Sequence, residues 1–136
     1  MREEILIKHL KNLIFENEKI EDAFIMNIEG LLVTVLRNEE EYQKIAAVMA
    51  GIIDFARRME NKDPEALSFT ITDKSIIAVP LSEKFYVVVL AEKYLNSFSV
   101  IRLIEKNRQN ILGMIEKTDF NDLFSFRPVE VQGLDI

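Results

Sequence analysis

The chain has 136 residues, 49% of them hydrophobic, which is the usual size of one domain with a core large enough to fold without a disulfide or a metal. It contains no cysteine, so disulfides, thiolate nucleophiles and cysteine–zinc sites are excluded, and we expect its one histidine, His9, to be structural or solvated. The formal net charge of −6 argues against a surface that binds nucleic acid through its phosphates.

The N-terminus does not resemble a secretory signal peptide. Glu3 and Glu4 stand where a signal peptide carries basic residues followed by an apolar core. The sequence has no run that approaches the roughly 18 consecutive apolar residues of a membrane-spanning helix. We therefore expect a cytoplasmic protein without a membrane span.

The chain begins with a predicted helix and a predicted β-hairpin. Residues 2–17 carry apolar residues on one helical face. Two apolar runs, 23–28 and 31–36, are then separated by Glu29 and Gly30. A pair of residues ending in glycine between two such runs is typical of a two-residue hairpin turn, because the turn needs a positive φ.

A long amphipathic helix follows the hairpin. Asn38 can cap its first turn, and Glu41 stands three residues later in an approximate capping box. Beyond the cap, apolar residues recur at alternating intervals of four and three, which predicts that their face is buried. These residues are Ile45, Met49, Ile52, Ala56 and Met59.

The opposite face of this helix carries small and polar residues. They are Gln43, Ala47, Ala50, Asp54 and Arg58, with Ala46 and Gly51 at the margins. Small residues allow a second backbone to approach closely, but alanine is also a good helix former on a solvated face, and both interpretations stay open. Gly51 favours contact, because an exposed glycine within a helix costs roughly 1 kcal/mol relative to alanine.

Three further strands are predicted after a stop at Pro64. Residues 67–72 alternate between apolar and hydroxyl side chains, which is typical of a half-buried strand, and we place this strand at a sheet edge. Residues 75–81 form the next strand, whose end is marked by Pro80. Residues 85–91 are apolar without alternation, which predicts a strand covered on both faces in the middle of the sheet.

The last predicted element is a helix that begins at Asn96 or Ser97 and continues to about Lys117. Its buried face is predicted to comprise Val100, Ile101, Ile104, Ile111 and Ile115. Residues 1–117 are thus predicted to form one domain, and residues 118–136 a C-terminal tail. The tail is rich in phenylalanine, which is unusual for a disordered segment, so we expect it to dock on its own domain or to bind a partner.

The elements therefore follow the order α-β-β-α-β-β-β-α. Every link between strands is a tight turn except the one through the central helix, so the predicted sheet is antiparallel and has five strands. Two strands covered on both faces require helices on both sides of the sheet. The predicted fold class is α/β in the broad sense of mixed helices and strands, and of the α+β type because its sheet is antiparallel.

This pattern resembles the roadblock (dynein light chain) family, whose domain has a profilin-like fold. The resemblance covers about residues 5–117 and depends on element order, element lengths and the Glu29–Gly30 turn taken together. The stretches that carry it are 23–31, 42–59, 76–80, 89–91 and 100–102. The chain departs from many family members at 97–99, where those members have a glycine and this chain has Ser-Phe-Ser.

The resemblance implies a dimer, either of this chain with itself or with a related roadblock protein. In that dimer the third strand pairs with its twin and the central helices pack together. The resemblance also implies a scaffold or regulator of a small Ras-like GTPase, or a light chain on a motor. It implies no catalysis and no cofactor or metal.

The resemblance and the helix pattern together give candidate residues. The candidate dimer contacts are Ala47, Ala50, Gly51, Asp54, Ser68, Thr70 and Thr72. The candidate GTPase-binding residues are Gln43, Asp54, Arg57 and Arg58. If the protein stimulates GTP hydrolysis, we expect it to order the GTPase's own switch segments, because an arginine within a rigid helix has limited reach into another active site.

Two other function classes stay open. An enzyme has little support, since the sequence contains no glycine-rich phosphate loop, no G-x-S-x-G elbow and no H-E-x-x-H motif, and Asp54 and Glu92 look like ordinary surface carboxylates. The alternative to the GTPase scaffold is a profilin-like module that senses a small molecule. Its sign would be an apolar cavity with converging polar groups.

Overall fold

The computed structural model describes the backbone of residues 2–35 and 39–134, and the side chains of residues 4–12, 16–34 and 40–115. Within these ranges the order of elements confirms the predicted one. The elements are α1 (Arg2–Glu16), β1 (Ile20–Asn27), β2 (Leu32–Val35), α2 (Glu39–Glu60), β3 (Leu67–Ile71), β4 (Lys74–Pro80), β5 (Phe85–Glu92) and α3 (Ser97–Leu134).

The five strands form one antiparallel sheet in the order β2-β1-β5-β4-β3. Strand β5 lies at its centre, as its unbroken apolar run predicts. Strand β3 lies at an edge, as its alternation predicts. Both predictions are confirmed because the pattern of apolar residues along a strand reports how many of its faces are covered.

The core has two layers, one on each side of the sheet. Alternate residues of β5 point to opposite sides, so that Val87 and Val89 pack under α1 and α3 while Tyr86 and Val88 pack under α2. The prediction of helices on both faces is confirmed.

The β1–β2 turn is one residue longer than predicted. The Asn27 N–H donates to the Leu31 carbonyl at 2.9 Å, and the Gly30 N–H donates to the Asn27 carbonyl at 3.0 Å, so the loop is 28–30. Asn27 Oδ1 also accepts the backbone N–H groups of Glu29 and Leu31, both at 3.0 Å. Gly30 has φ +89°, the conformation that ends a three-residue hairpin loop. The sequence signal that distinguishes this turn is Asn27, whose side chain caps the loop.

Strand β1 begins at Ile20, three residues before the predicted start. Residues 20–22 look like a polar connection, but Ile20 pairs with Ala91 of the central strand. Asp22 is buried, and its carboxylate accepts a hydrogen bond from the hydroxyl of Tyr42 on α2. The Tyr42 ring stacks on Phe24 with 5.0 Å between centroids. The hydrogen bond from Tyr42 therefore allows an acidic residue to lie within a buried strand, where an unpaired polar group would be unfavourable.

Helix α2 is rotated about its axis relative to the prediction. The buried side chains are Tyr42, Ala46, Met49 and Ile53. Of the predicted stripe only Met49 is buried; Met59 is exposed and the other three members are half-buried. At roughly 100° per residue, the buried stripe lies roughly 70° from the predicted one. The predicted cap, Asn38, lies outside the described residues.

Helix α3 begins as predicted and ends later. The Phe98 N–H donates to Asn96 Oδ1 at 2.8 Å, so Asn96 caps the helix, and all five residues of its predicted buried face are buried. The helix does not end near Lys117 but continues to Leu134. Residues 118–127 contain neither glycine nor proline to stop it, and the helix also continues through Pro128. The side chains beyond Ile115 are outside the described set, so docking of the tail stays a prediction. Among the described residues no helix has the length and apolar character needed to cross a bilayer.

Candidate interaction surface

An exposed apolar surface lies where α2 meets the edge strand β3. Val48, Phe55 and Met59 on α2 are 62%, 63% and 67% exposed, and Ile71 on β3 is 56% exposed. Ile52, which is half-buried, completes a helical stripe with the three α2 residues. We call these five residues the α2–β3 surface. A cluster of large apolar side chains in water is typical of an interaction site.

A groove of about 250 Å³ runs between α2 and β3 within this surface. Its walls are almost entirely apolar, and Lys44 is the one charged residue among them. The lining residues are Lys44, Ile45, Val48, Met49, Ile52, Phe69, Ile71 and Ile76. The groove therefore suits an apolar side chain rather than a polar ligand.

The two edges of the sheet differ. Strand β3 pairs with β4 alone, so its outer backbone N–H and C=O groups are open beside the α2–β3 surface. Strand β2 has four residues, and its pairing with β1 is interrupted by a shift of register. Short, irregular edges resist pairing with another chain. The edge at β3 is therefore the better site for strand addition.

The structure gives the small residues of α2 a partner within the same chain. A Cβ built on Gly30 would lie 3.3 Å from Ala47 Cα and 3.4 Å from Ala50 Cβ, so the β1–β2 turn approaches the helix at these positions. A Cβ on Gly51 would have no neighbour within 4 Å. The second backbone that packs against Ala47 and Ala50 is thus the chain's own β1–β2 turn.

The predicted dimer contacts are accessible but do not form one patch. Ala47, Gly51, Asp54, Ser68, Thr70 and Thr72 are exposed, and Ala50 is half-buried. Ala47, Ala50 and Asp54 lie on the side of α2 away from the α2–β3 surface, and Gly51 lies at the margin of that surface, next to Val48 and Phe55. Ser68 and Thr70 lie on the edge strand β3, and Thr72 lies in the turn after it. Their participation in a dimer stays a prediction.

Arg57, a predicted GTPase-binding residue, is engaged inside the protein. Its Nε lies 2.6 Å from Asp63 Oδ1, and its Nη2 donates to the Glu83 carbonyl at 2.5 Å. The hydroxyl of Tyr86 donates to the same Asp63 oxygen at 2.9 Å. The hydrogen bond that Arg57 donates to Asp63 raises the pKa of Arg57, and burial together with the hydrogen bond donated to Asp63 raises the pKa of Tyr86. These hydrogen bonds hold the C-terminal end of α2 against the β4–β5 turn.

The other three predicted GTPase-binding residues remain open to solvent. Gln43, Asp54 and Arg58 are exposed on α2, and Arg58 Nε lies 3.0 Å from Asp54 Oδ2 one helical turn away. Exposed ion pairs of this kind add little to stability and leave both groups available to a partner.

We predict that Arg57→Ala lowers the free energy of unfolding by about 1–3 kcal/mol, because it leaves Asp63 and the Glu83 carbonyl without a charged donor in a partly buried site. The matched control is Arg58→Ala, which removes an exposed pair and should change stability by less than about 0.5 kcal/mol. Urea unfolding of both variants measures the difference. Equal effects would mean that Arg57 has no structural role.

A second concavity, of about 570 Å³, lies at the C-terminal end of α2. It is lined mainly by charged residues, among which Arg57 and Asp63 are paired with each other. A small-molecule sensor would show an apolar lining with converging polar groups. The α2–β3 groove lacks such polar groups, and the residues that line the second concavity are mostly charged. The same residues contain no cluster of three or more histidine or acidic side chains placed to hold a metal.

No protein-family model matches the sequence, and no curated protein matches it significantly. Solved structures do match. The gliding protein MglB from Thermus thermophilus aligns with a TM-score of 0.71 and 10% identity over 86% of this chain and 93% of that one. A Roadblock/LC7 domain from Streptomyces avermitilis aligns with a TM-score of 0.60 and 13% identity over 76% of this chain and 94% of that one.

The wider fold group matches as well. Profilin IA from Acanthamoeba castellanii aligns with a TM-score of 0.53 and 10% identity over 78% of this chain and 95% of that one. At these identities the likeness establishes the fold alone. The chain has a roadblock-like, profilin-like fold, which confirms the resemblance found in its sequence.

Proposed function

We propose that the protein is a non-enzymatic dimeric scaffold that binds a small Ras-like GTPase across its paired α2 helices. The observation that carries this proposal is the α2–β3 surface, an apolar patch beside an open strand edge. The partner class comes from the resemblance to the roadblock family, which is an argument by analogy. The dimer and the GTPase site are supported by different features and are tested separately.

The dimer would pair the open edge of β3 and bury the exposed apolar side chains beside it. Antiparallel pairing of β3 with β3 of a second copy, or of a related roadblock protein, gives hydrogen-bond partners to the outer backbone groups of β3 and joins two sheets into one. Full burial of each large apolar side chain then contributes roughly 1.5–3 kcal/mol. Because β2 is a poor edge for pairing, growth through strand addition stops at two copies. MglB, with the same fold, is also known in a tetrameric arrangement.

The helix contacts of this dimer belong on the α2–β3 surface rather than on the small-residue face. The β1–β2 turn lies close to the small-residue face at Ala47 and Ala50, so it would meet a second helix packed along that face. Ser68, Thr70 and Thr72 keep their predicted place, since they belong to β3 and the turn after it.

The GTPase would bind the outer faces of the two α2 helices, which the dimer leaves open. Gln43, Asp54 and Arg58 are exposed there, next to the small exposed residues Ala47 and Gly51. Small residues among polar ones make a flat surface of mixed charge, which suits docking with another protein through a polar contact region.

We predict that the double variant Gln43→Ala, Arg58→Ala weakens GTPase binding roughly 30–150-fold, the sum of two polar contacts of roughly 1–1.5 kcal/mol each. Titration calorimetry with co-encoded Ras-like GTPases, in GDP and GTP-analogue states, measures the affinity. The control is Arg102→Ala, which removes an exposed arginine from α3 on the other side of the sheet.

Hydrolysis in the saturated complex of the double variant should stay within about tenfold of the parent, because switch ordering needs contact rather than an inserted arginine. A thousandfold loss at saturation would refute switch ordering. If no co-encoded GTPase forms a complex in either nucleotide state, the partner class is wrong.

A further inference from the structure

The α2–β3 surface carries both a groove and an exposed side chain of the size that fills it. We propose that Phe55 of a second copy of this chain inserts into the groove between α2 and β3 and is the principal anchor of the dimer. This inference rests on the dimer of the proposed function and specifies its central contact.

Phe55 has no such role within its own chain. It is 63% exposed and is not among the residues that line the groove. The groove measures about 250 Å³, and an apolar cavity of roughly 150 Å³ is enough to hold benzene. One phenyl ring therefore fits with room for its methylene group.

Symmetry brings Phe55 to the groove. The exposed and half-buried apolar positions of α2 run from Ile45 to Met59, with Ile52 at the midpoint. In a two-fold dimer the same patch serves both copies, so antiparallel α2 helices cover this stripe fully when the axis passes near Ile52. Phe55 of one copy then lies opposite Met49 of the other, at the level where Val48 and Met49 line the groove.

The chemistry of the groove agrees with an aromatic occupant. Its apolar walls offer nothing to a polar side chain except Lys44, and an ammonium group over the face of an aromatic ring is attracted to it. Aromatic residues seated in pockets near the centre of an interface contribute most of the binding energy in many complexes. Each copy supplies one Phe55 and one groove, so the dimer has two such contacts.

The first test is the dissociation constant of Phe55→Ala. Loss of one anchor raises Kd roughly thirtyfold or more, so loss of both should raise it roughly a thousandfold. The control is Phe98→Ala, which removes an equally exposed phenylalanine (64%) from α3 and should leave Kd unchanged. Because both residues are exposed in the single chain, neither variant is expected to unfold.

The second test is a photoreactive phenylalanine analogue at position 55, in a mixture of isotopically light and heavy copies. We expect light-to-heavy crosslinks to Phe69, Ile76 or Val48. Crosslinks between the two copies of position 55, or to residues away from the groove, would overturn the inference. The inference would also be overturned if Phe55→Ala formed a dimer with the parent Kd while Ile71→Asp was monomeric. In that case the dimer through the α2–β3 surface would be retained, but Phe55 would not be its anchor. A monomeric parent protein would remove the dimer and this contact together.

Discussion

Replacing Val48 with aspartate is expected to convert the proposed dimer into a monomer without unfolding the chain. In the single chain Val48 is exposed, so a carboxylate there remains hydrated. In the dimer it would face apolar side chains, and an unpaired buried charge costs several kcal/mol. Each copy carries one, so Kd should rise by a factor on the order of 10³ or more. Sedimentation equilibrium measures the mass, and circular dichroism checks that the fold is retained.

The control variant is Ala47→Asp, at the adjacent position. Ala47 is also exposed but lies on the small-residue face. We expect Ala47→Asp to remain dimeric at the concentration where Val48→Asp is monomeric. If Ala47→Asp were monomeric and Val48→Asp dimeric, the helix contacts of the dimer would lie on the small-residue face, as the sequence predicts.

Replacing Gly30 with alanine is expected to lower the free energy of unfolding by about 2–4 kcal/mol, for two reasons. Its φ of +89° is strained for any residue with a Cβ. The added Cβ would also lie 3.3 Å from Ala47 Cα and 3.4 Å from the Ala46 carbonyl oxygen, which are backbone atoms with little freedom to move. Chemical unfolding of the variant measures the loss.

Two other glycines provide matched controls. Gly51 and Gly113 lie within helices, and a Cβ at either would have no neighbour within 4 Å. Gly51→Ala and Gly113→Ala should therefore leave stability unchanged or raise it by about 0.5–1 kcal/mol. If Gly113→Ala lowered the free energy of unfolding as much as Gly30→Ala, the β1–β2 turn would have no special requirement for glycine at position 30.

Sequence periodicity was sufficient to predict the architecture but not the orientation of α2. The unbroken run of β5 and the alternation of β3 placed these strands at the centre and the edge of the sheet. Helix α2 carries two adjacent apolar stripes, one in the core and one at the surface, and the predicted stripe mixes Met49 from the core with Ile52 and Met59 from the surface. Periodicity detects an apolar face, but two overlapping faces leave the buried one undetermined.

The surroundings of the predicted site residues depend on contacts between distant parts of the chain. The partner of Ala47 and Ala50 is a turn at Gly30, which no local pattern on the helix reveals. The contact of Arg57 with Asp63 had a sequence signal nearby, at Asn61. Asn61 has φ +58° and its N–H donates to the Arg57 carbonyl at 2.7 Å, which ends the helix and brings Asp63 back to the arginine. Asparagine is a common residue at this position after a helix, so the reversal could have been anticipated.

The most direct measurement of the central claim, self-association through the α2–β3 surface, is disulfide formation in single-cysteine variants. The chain has no cysteine of its own, so any crosslinked dimer reports the introduced residue. Ile52→Cys lies at the proposed two-fold axis, where facing Cα atoms come within the roughly 4.4–6.8 Å that a disulfide spans. We predict that mild oxidation crosslinks Ile52→Cys and leaves Asp54→Cys, on the outer face of α2, monomeric on a non-reducing gel. Crosslinking of Asp54→Cys but not Ile52→Cys, or of neither, would contradict the account.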